Sequence, residues 1–157
     1  MSDSIVAQIT ANRKQTLKNI STTAGYSFTP ALVEEQRIVR NINGKYPYMS
    51  IAMAPIEPET ENNISEHTAI YYLVTFEALG NDDDSTGDEI LYTNRNITAD
   101  IIKAWMQDRT CGGFAEMTAT TWYDSAIITD NNLNYYRAAV VFSVTALIDS
   151  SDPYKLG

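Results

Sequence analysis

The stretch Tyr135 to Ile148, YYRAAVVFSVTALI, constrains the fold more than any other part of the chain. Its even positions Tyr136, Ala138, Val140, Phe142, Val144, Ala146 and Ile148 are all apolar, while the odd positions include Arg137, Ser143 and Thr145. Side chains alternate across a strand, so a period of two sustained over this length predicts a long strand with one fully buried face. Ala69 to Leu79, AIYYLVTFEAL, repeats the pattern: Ile70, Tyr72, Val74, Phe76 and Ala78 fall on one side, and Tyr71, Thr75 and Glu77 on the other. Two such strands make the centre of an antiparallel sheet, which can pack one face on a core.

The remaining segments supply what covers that sheet. Ser2 or Asp3 can cap a first helix whose Ile5, Ile9, Leu17 and Ile20 form one stripe, with Arg13 filling the middle turn and Gly25 beyond the end. Arg13, Lys14 and Lys18 read as a solvated face, with a basic partner-binding face as the alternative. Ala31 to Arg40 alternates as an exposed strand, and Asn43-Gly44 is a turn signal that should fold it back as a hairpin on the strand Tyr48 to Ala54. Pro47 and Pro55 bracket that second strand and limit its pairing. Pro55 to His67 has no periodicity and reads as a projecting loop. Thr86 and Glu89 have capping-box spacing, opening a helix that Ile90, Ile97, Ile101 and Trp105 carry to about Asp108, with Thr98 as a second cap if it breaks near Asn96. Phe114 to Tyr123 reads as a Thr-rich strand, and Asp130-Asn131-Asn132 turns the chain into the terminal strand. The tail from Asp149 should lie on the surface. At 157 residues the chain suits a single domain, 1–157, of α+β class: an antiparallel sheet with two helices packed on one face.

Composition narrows the chemistry. With 20 acidic and 11 basic residues the formal net charge is −9, and no run of Lys or Arg offsets it, which argues against adhesive contact with nucleic acid. Ten Tyr against four Phe suit surfaces that become interfaces, because Tyr joins a rigid ring to a polar tip. Cys111 is single and reads as a small buried side chain near a turn; with His67 as the one histidine there is no zinc set. His67 reads as a strand-end side chain with no carboxylate paired to it in sequence. Asp82, Asp84, Thr86 and Asp88 echo the start of a calcium loop, but Thr93 stands where the bidentate acid belongs. No nucleophile elbow, P-loop, dinucleotide fingerprint or zinc-protease motif is present, so the expectation is a protein without catalytic function, metal or cofactor. No apolar run reaches bilayer-spanning length, and the first residues lack the marks of an export signal, so no membrane association is expected and the chain should remain in the cytoplasm of the cell that makes it.

The order of elements carries more. An N-terminal amphipathic helix, a strand pair, PYMSIAM followed by a projecting loop, IYYLVTFEAL, a helix with ADIIKAWM and the terminal YYRAAVVFSVTALI together resemble tail terminator proteins of long-tailed bacteriophages over nearly the whole chain. The acidic segment Asn81 to Asp84 and the Thr-rich hairpin ending at Asn132 depart from that pattern. The resemblance implies a structural virion protein at the tail-head junction: a homo-oligomeric ring, usually of six, that caps the tail tube, meets a connector or adaptor protein, and lets DNA pass without specific binding. On that reading Glu57, Glu59, Glu61, Asp82, Asp83 and Asp84 face the lumen or a neighbouring ring, and Tyr71, Leu73, Tyr135 and Val141 contact the next subunit. Another neck or connector adaptor is the near alternative. A dimeric α+β barrel that binds a small molecule is the distant one, using the same sheet around an apolar pocket. A ring of roughly 100 kDa favours the first reading, and a dimer the barrel.

Overall fold

The computed structural model describes residues 3–35, 45–54, 57–58, 67–79, 87–130, 133–149 and 151–157, with side chains omitted at 57–58, 87–94, 125–130 and 133–135. Helix α1 spans Ile5–Lys18 and is followed by a short 3-10 turn, Thr22–Ala24. Then come β1 (Leu32–Glu35), β2 (Tyr48–Met53), β3 (Glu57–Pro58), β4 (His67–Leu79), α2 (Gly87–Met106), β5 (Met117–Asp130) and β6 (Leu133–Leu147). The two alternating stretches become neighbouring strands at the centre of a sheet ordered β1-β2-β4-β6-β5, with β3 also on β4. The fold is α+β.

Register makes one face of this sheet the core. Ile70, Tyr72, Val74 and Phe76 of β4 lie opposite Val144, Phe142, Val140 and Ala138 of β6. All eight are buried, as are Met49 and Ile51, which extend the same face onto β2. Both helices lie on this side. Trp105 of α2 stacks on Phe142 with ring centroids 4.2 Å apart and tilts against Tyr72 at 5.7 Å, and Thr10 of α1 shares a 2.8 Å hydrogen bond with the Tyr72 hydroxyl. A buried indole N–H needs an acceptor. Trp105 Nε1 donates to Thr118 Oγ1 at 2.8 Å, and that hydroxyl donates on to the Ser143 carbonyl, pinning α2 to β5 and β6.

Several boundaries differ from the sequence expectation. The cap of α1 is Ser4, whose hydroxyl accepts from the Ala7 N–H; Gly25, at φ 89°, ends the 3-10 turn. α2 runs unbroken through Asn96 and Thr98. β1 and β2 pair in parallel, with Leu32 opposite Tyr48 and Glu35 opposite Ile51, so they are not a hairpin and the sheet is mixed at this edge. Twelve residues separate the two strands, enough for a crossover connection. The turn signal Asn43-Gly44 lies outside the described residues. Within the expected projecting loop, β3 pairs with β4 at Ala69 and Thr68. β2 is buried on both faces from Tyr48 to Ala52, as befits a strand between two neighbours. β5 begins and ends later than the Thr-rich alternation suggested, and Asp130 pairs with Leu133. The tail folds back, with an Ile148–Leu156 bridge and the Pro153 carbonyl accepting from the Ile5 N–H.

Candidate functional site

The sheet face opposite the helices holds the candidate interaction surface. Its residues follow from parity and register: Ala69, Tyr71, Leu73, Thr75 and Glu77 on β4, and Thr145, Ser143, Val141, Ala139 and Arg137 opposite them on β6. β2 contributes Tyr48, Ser50 and Ala52, and β5 contributes Met117 and Ala119. Between Thr120 and Trp122 a bulge inserts Thr121, whose hydroxyl donates to the Val141 carbonyl. An extra residue flips the parity of everything after it. Trp122, an even residue that would otherwise face the core, therefore lies opposite Val141 on the outer face.

This face is uneven. On the β2 side Tyr48, Ser50 and Ala52 are buried, and Ser50 shares a 2.6 Å hydrogen bond with Thr75. On the β5 side Met117 is 56 % exposed, Trp122 53 % and, on β4, Tyr71 38 %. Leu73 and Val141 are half-buried. Three of the four expected subunit-contact residues, Tyr71, Leu73 and Val141, are thus brought together on one surface; Tyr135 pairs through its backbone with Leu79, and its side chain is outside the described residues. Sequence reasoning missed both Met117 and Trp122; for Trp122 the reason is that nothing in the Thr-rich run marks the bulge.

Charges border the patch. At one end Glu77 lies opposite Arg137 and accepts from the Tyr46 hydroxyl at 3.3 Å. At the other, His67 Nε2 meets Glu116 Oε2 at 2.8 Å, both side chains partly exposed. The strand-end placement of His67 agrees with the sequence, but the carboxylate beside it comes from a segment distant in the sequence. Nearby, burial foremost and then Glu34, which accepts from it at 3.3 Å, push the Tyr48 hydroxyl up to about 12. Of the six expected lumen acids, Glu57 falls in β3, and Glu59, Glu61, Asp82, Asp83 and Asp84 lie outside the described residues.

A second polar cluster sits where α1 meets the end of α2. Arg13 is fully buried, against the expectation of a solvated face, while Lys14 is half-buried and Lys18 exposed. Its Nη1 donates to the Trp105 carbonyl at 2.8 Å, Nε and Nη2 both donate to Asn12 Oδ1, and the guanidinium lies 5.2 Å from the Trp105 ring centroid. Arg13 thereby caps one of the unpaired carbonyls at the helix end. Asp108 Oδ2 lies 3.7 Å from Nη2 and also accepts from the Gly112 N–H, while Oδ1 accepts from the Thr110 N–H and hydroxyl. Partial burial raises the Asp108 carboxyl, but these hydrogen bonds, the Gly112 one foremost, and Arg13 hold it below its ordinary value. Cys111 is buried at a positive φ of 52°, and burial pushes its thiol up to about 11 despite Arg13. A neutral buried thiol is a poor nucleophile, which fits the sequence reading of a packing residue.

Arg13 and Asp108 are hydrogen-bonded within the cluster, so it reads as a structural junction; Asp108 also lines a cavity of about 340 Å³ with Thr16, Asn19, Tyr26 and Gln107. Among the described residues no three His, Cys, Asp or Glu side chains converge as a metal site, and no helix is long and apolar enough to cross a membrane. Comparison with known proteins finds no matching family model and no matching curated protein.

Proposed function

We propose that the chain is a structural virion protein that self-assembles into a ring capping a phage tail tube and joining it to a head-side connector. The observation that carries this reading is the outer sheet face, where Tyr71, Met117 and Trp122 are exposed and the charged residues Glu77, Arg137 and Asp124 lie towards one end. Exposed large apolar side chains gathered on one face favour a protein contact. The net charge of −9 is consistent with a lumen that repels a passing polyanion. The resemblance to tail terminators supplies the identity of the partners, tail tube below and connector or adaptor above, with assembly in the host cytoplasm.

The same reading assigns no catalysis, cofactor or membrane partner to the chain. The test is electron microscopy of tails assembled with and without the protein. Six copies of a 17.5 kDa chain make a ring of roughly 105 kDa. Rings at tail ends that vanish when the protein is withheld are the expected result; tails of normal length and normal joining without it would remove the proposal.

A further inference from the structure

We propose that the cleft between α2 and the free edge of β5 is a docking site for an extended segment of a partner protein, which pairs with β5 as an added strand and sets an aliphatic side chain and a carboxylate beside Ile102 and Arg95. This surface is distinct from the outer sheet face, and the proposal does not depend on the ring reading.

β5 closes the sheet order, so it pairs with β6 on one side and, among the described residues, with no strand on the other. From Trp122 to Asp130 its register with β6 runs without a break, which keeps the backbone extended beyond the Thr121 bulge. Thr121, Trp122, Tyr123 and Asp124 are all exposed, so the chain leaves this stretch of edge uncovered. A row of unpaired N–H and C=O groups is a template for another strand, and edges are ordinarily blunted by proline, lysine or a bulge. The run WYDSAIITD holds no proline or lysine, its Trp, Tyr, Ile and Thr are strand formers, and the bulge lies before it rather than within it.

The cleft beside that edge sets the chemistry of the occupant. The bulge places Tyr123 opposite Val140, on the helix side of the sheet, where it is nevertheless 63 % exposed because α2 leaves it uncovered. On α2, Arg95, Thr98, Ala99 and Ile102 recur at spacings of three and four and form one stripe. Stripe and tyrosine together line a cavity of about 340 Å³, with Thr98 buried, Ile102 half-buried, and Arg95 and Ala99 exposed. Ligand pockets begin at about 300 Å³, so this one has room for a side chain or two. The side chains of an added strand alternate in direction, which turns every second one toward the cleft. There Ile102 and the Tyr123 ring offer an apolar contact. Arg95 takes part in none of the ion pairs among the described residues, and a guanidinium pairs best with a carboxylate, through two parallel hydrogen bonds. Asp124 lies on the opposite face, across from Ala139, so it does not oppose an acid in the cleft. The occupant is therefore an extended segment whose cleft-facing positions are aliphatic and acidic.

The experiment is selection from a synthetic library of strand-length peptides, with Thr at alternate positions and every residue but Cys and Pro between them, on the purified full chain and on Arg95→Glu and Ala99→Tyr. Both substitutions fall at exposed positions, and an unchanged melting temperature checks the fold. The parent should retain peptides rich in aliphatic and acidic residues. Arg95→Glu should exchange the acidic preference for a basic one, and Ala99→Tyr, which fills the cleft, should weaken the selected peptides by about tenfold or more. Methylating the backbone amides of a selected peptide should abolish its binding, and the unmethylated peptide should slow hydrogen exchange in β5 from Trp122 to Asp130. No retained peptide, the same preference on the parent and Arg95→Glu, undiminished binding after methylation, or exchange slowed only outside β5 each overturns the proposal. A parent that runs as a dimer in light scattering, and as a monomer once Arg95→Glu is made, has its cleft filled by a second copy, which overturns it as well. All of these readings are taken on the free chain, so the presence or absence of rings at tail ends is decided separately.

Discussion

Arg13 shows how a charged residue can be the keystone of a helix junction. Ile9, Arg13 and Leu17 recur at intervals of four, so Arg13 stands on the buried stripe of α1. That spacing was legible in the sequence; what was not legible is the acceptor set, because the Trp105 carbonyl and Asp108 come from a distant segment. Arg13→Ala should leave that carbonyl unpaired and open a cavity, lowering stability by about 2 to 4 kcal/mol, read as a lower urea midpoint with unchanged slope. Asp108 gives a prediction in pH. A carboxyl held below its unfolded value adds stability that is complete above the unfolded value and is lost as pH falls through the folded one. The parent should therefore lose melting temperature through the acid range, below a pH of about 4, while Asp108→Asn starts lower at neutral pH and falls less steeply there. Parallel acid limbs for the two proteins would show that Asp108 does not couple to folding.

At the scale of elements, the long strands were readable because burial on one face writes a period of two into the sequence. The core of β4 and β6 is drawn from the even positions that the alternation predicts, Ile70 to Phe76 and Ala138 to Ala146, while Ala78 and Tyr136 at the far end are only partly buried. Phe142 lies at the middle of that set, stacked on Trp105 and opposite Tyr72. Phe142→Ala should cost on the order of 3 to 5 kcal/mol and abolish soluble yield; a soluble variant as stable as the parent would contradict the packing described. β5 was less legible. Its Thr residues favour a strand without announcing which face they take, and the bulge at Thr121 exchanges the faces halfway along. The parallel pairing of β1 and β2 was illegible for another reason. A turn dipeptide such as Asn43-Gly44 signals a local reversal, whereas strand order is fixed by where Val33, Met49 and Ile51 find burial. Thr118 offers a finer test of the α2 attachment. Thr118→Val keeps the shape but strands the Trp105 N–H in the core, and should cost about 1 to 3 kcal/mol in chemical denaturation.

For the whole molecule, acidic residues cluster in the connecting segments while the outer face carries its charges, Glu77, Arg137 and Asp124, towards one end, and the ring proposal gives the two regions different duties. Asp82, Asp83 and Asp84 lie in the segment between β4 and α2, outside the described residues, so the argument for them is one of charge and position in the chain. Changing all three to Asn takes the formal net charge from −9 to −6, since each substitution removes one negative charge. Exposed substitutions away from caps and cores usually shift stability by about half a kcal/mol, so melting temperature and soluble yield should match the parent. If the segment faces the lumen, loss of negative potential should let DNA linger, lowering infectious particle number while tails still carry rings; if it faces the next ring, joining itself should fail and free tails should accumulate. Phe142→Ala run alongside supplies the contrast of a variant that loses protein before any assembly. Particle counts by plaque assay, with free tails and joined particles scored by electron microscopy, distinguish the two placements. A triple Asn variant with parental infectivity and joining would detach the acidic segment from function, leaving the outer sheet face as the one surface on which the ring proposal stands.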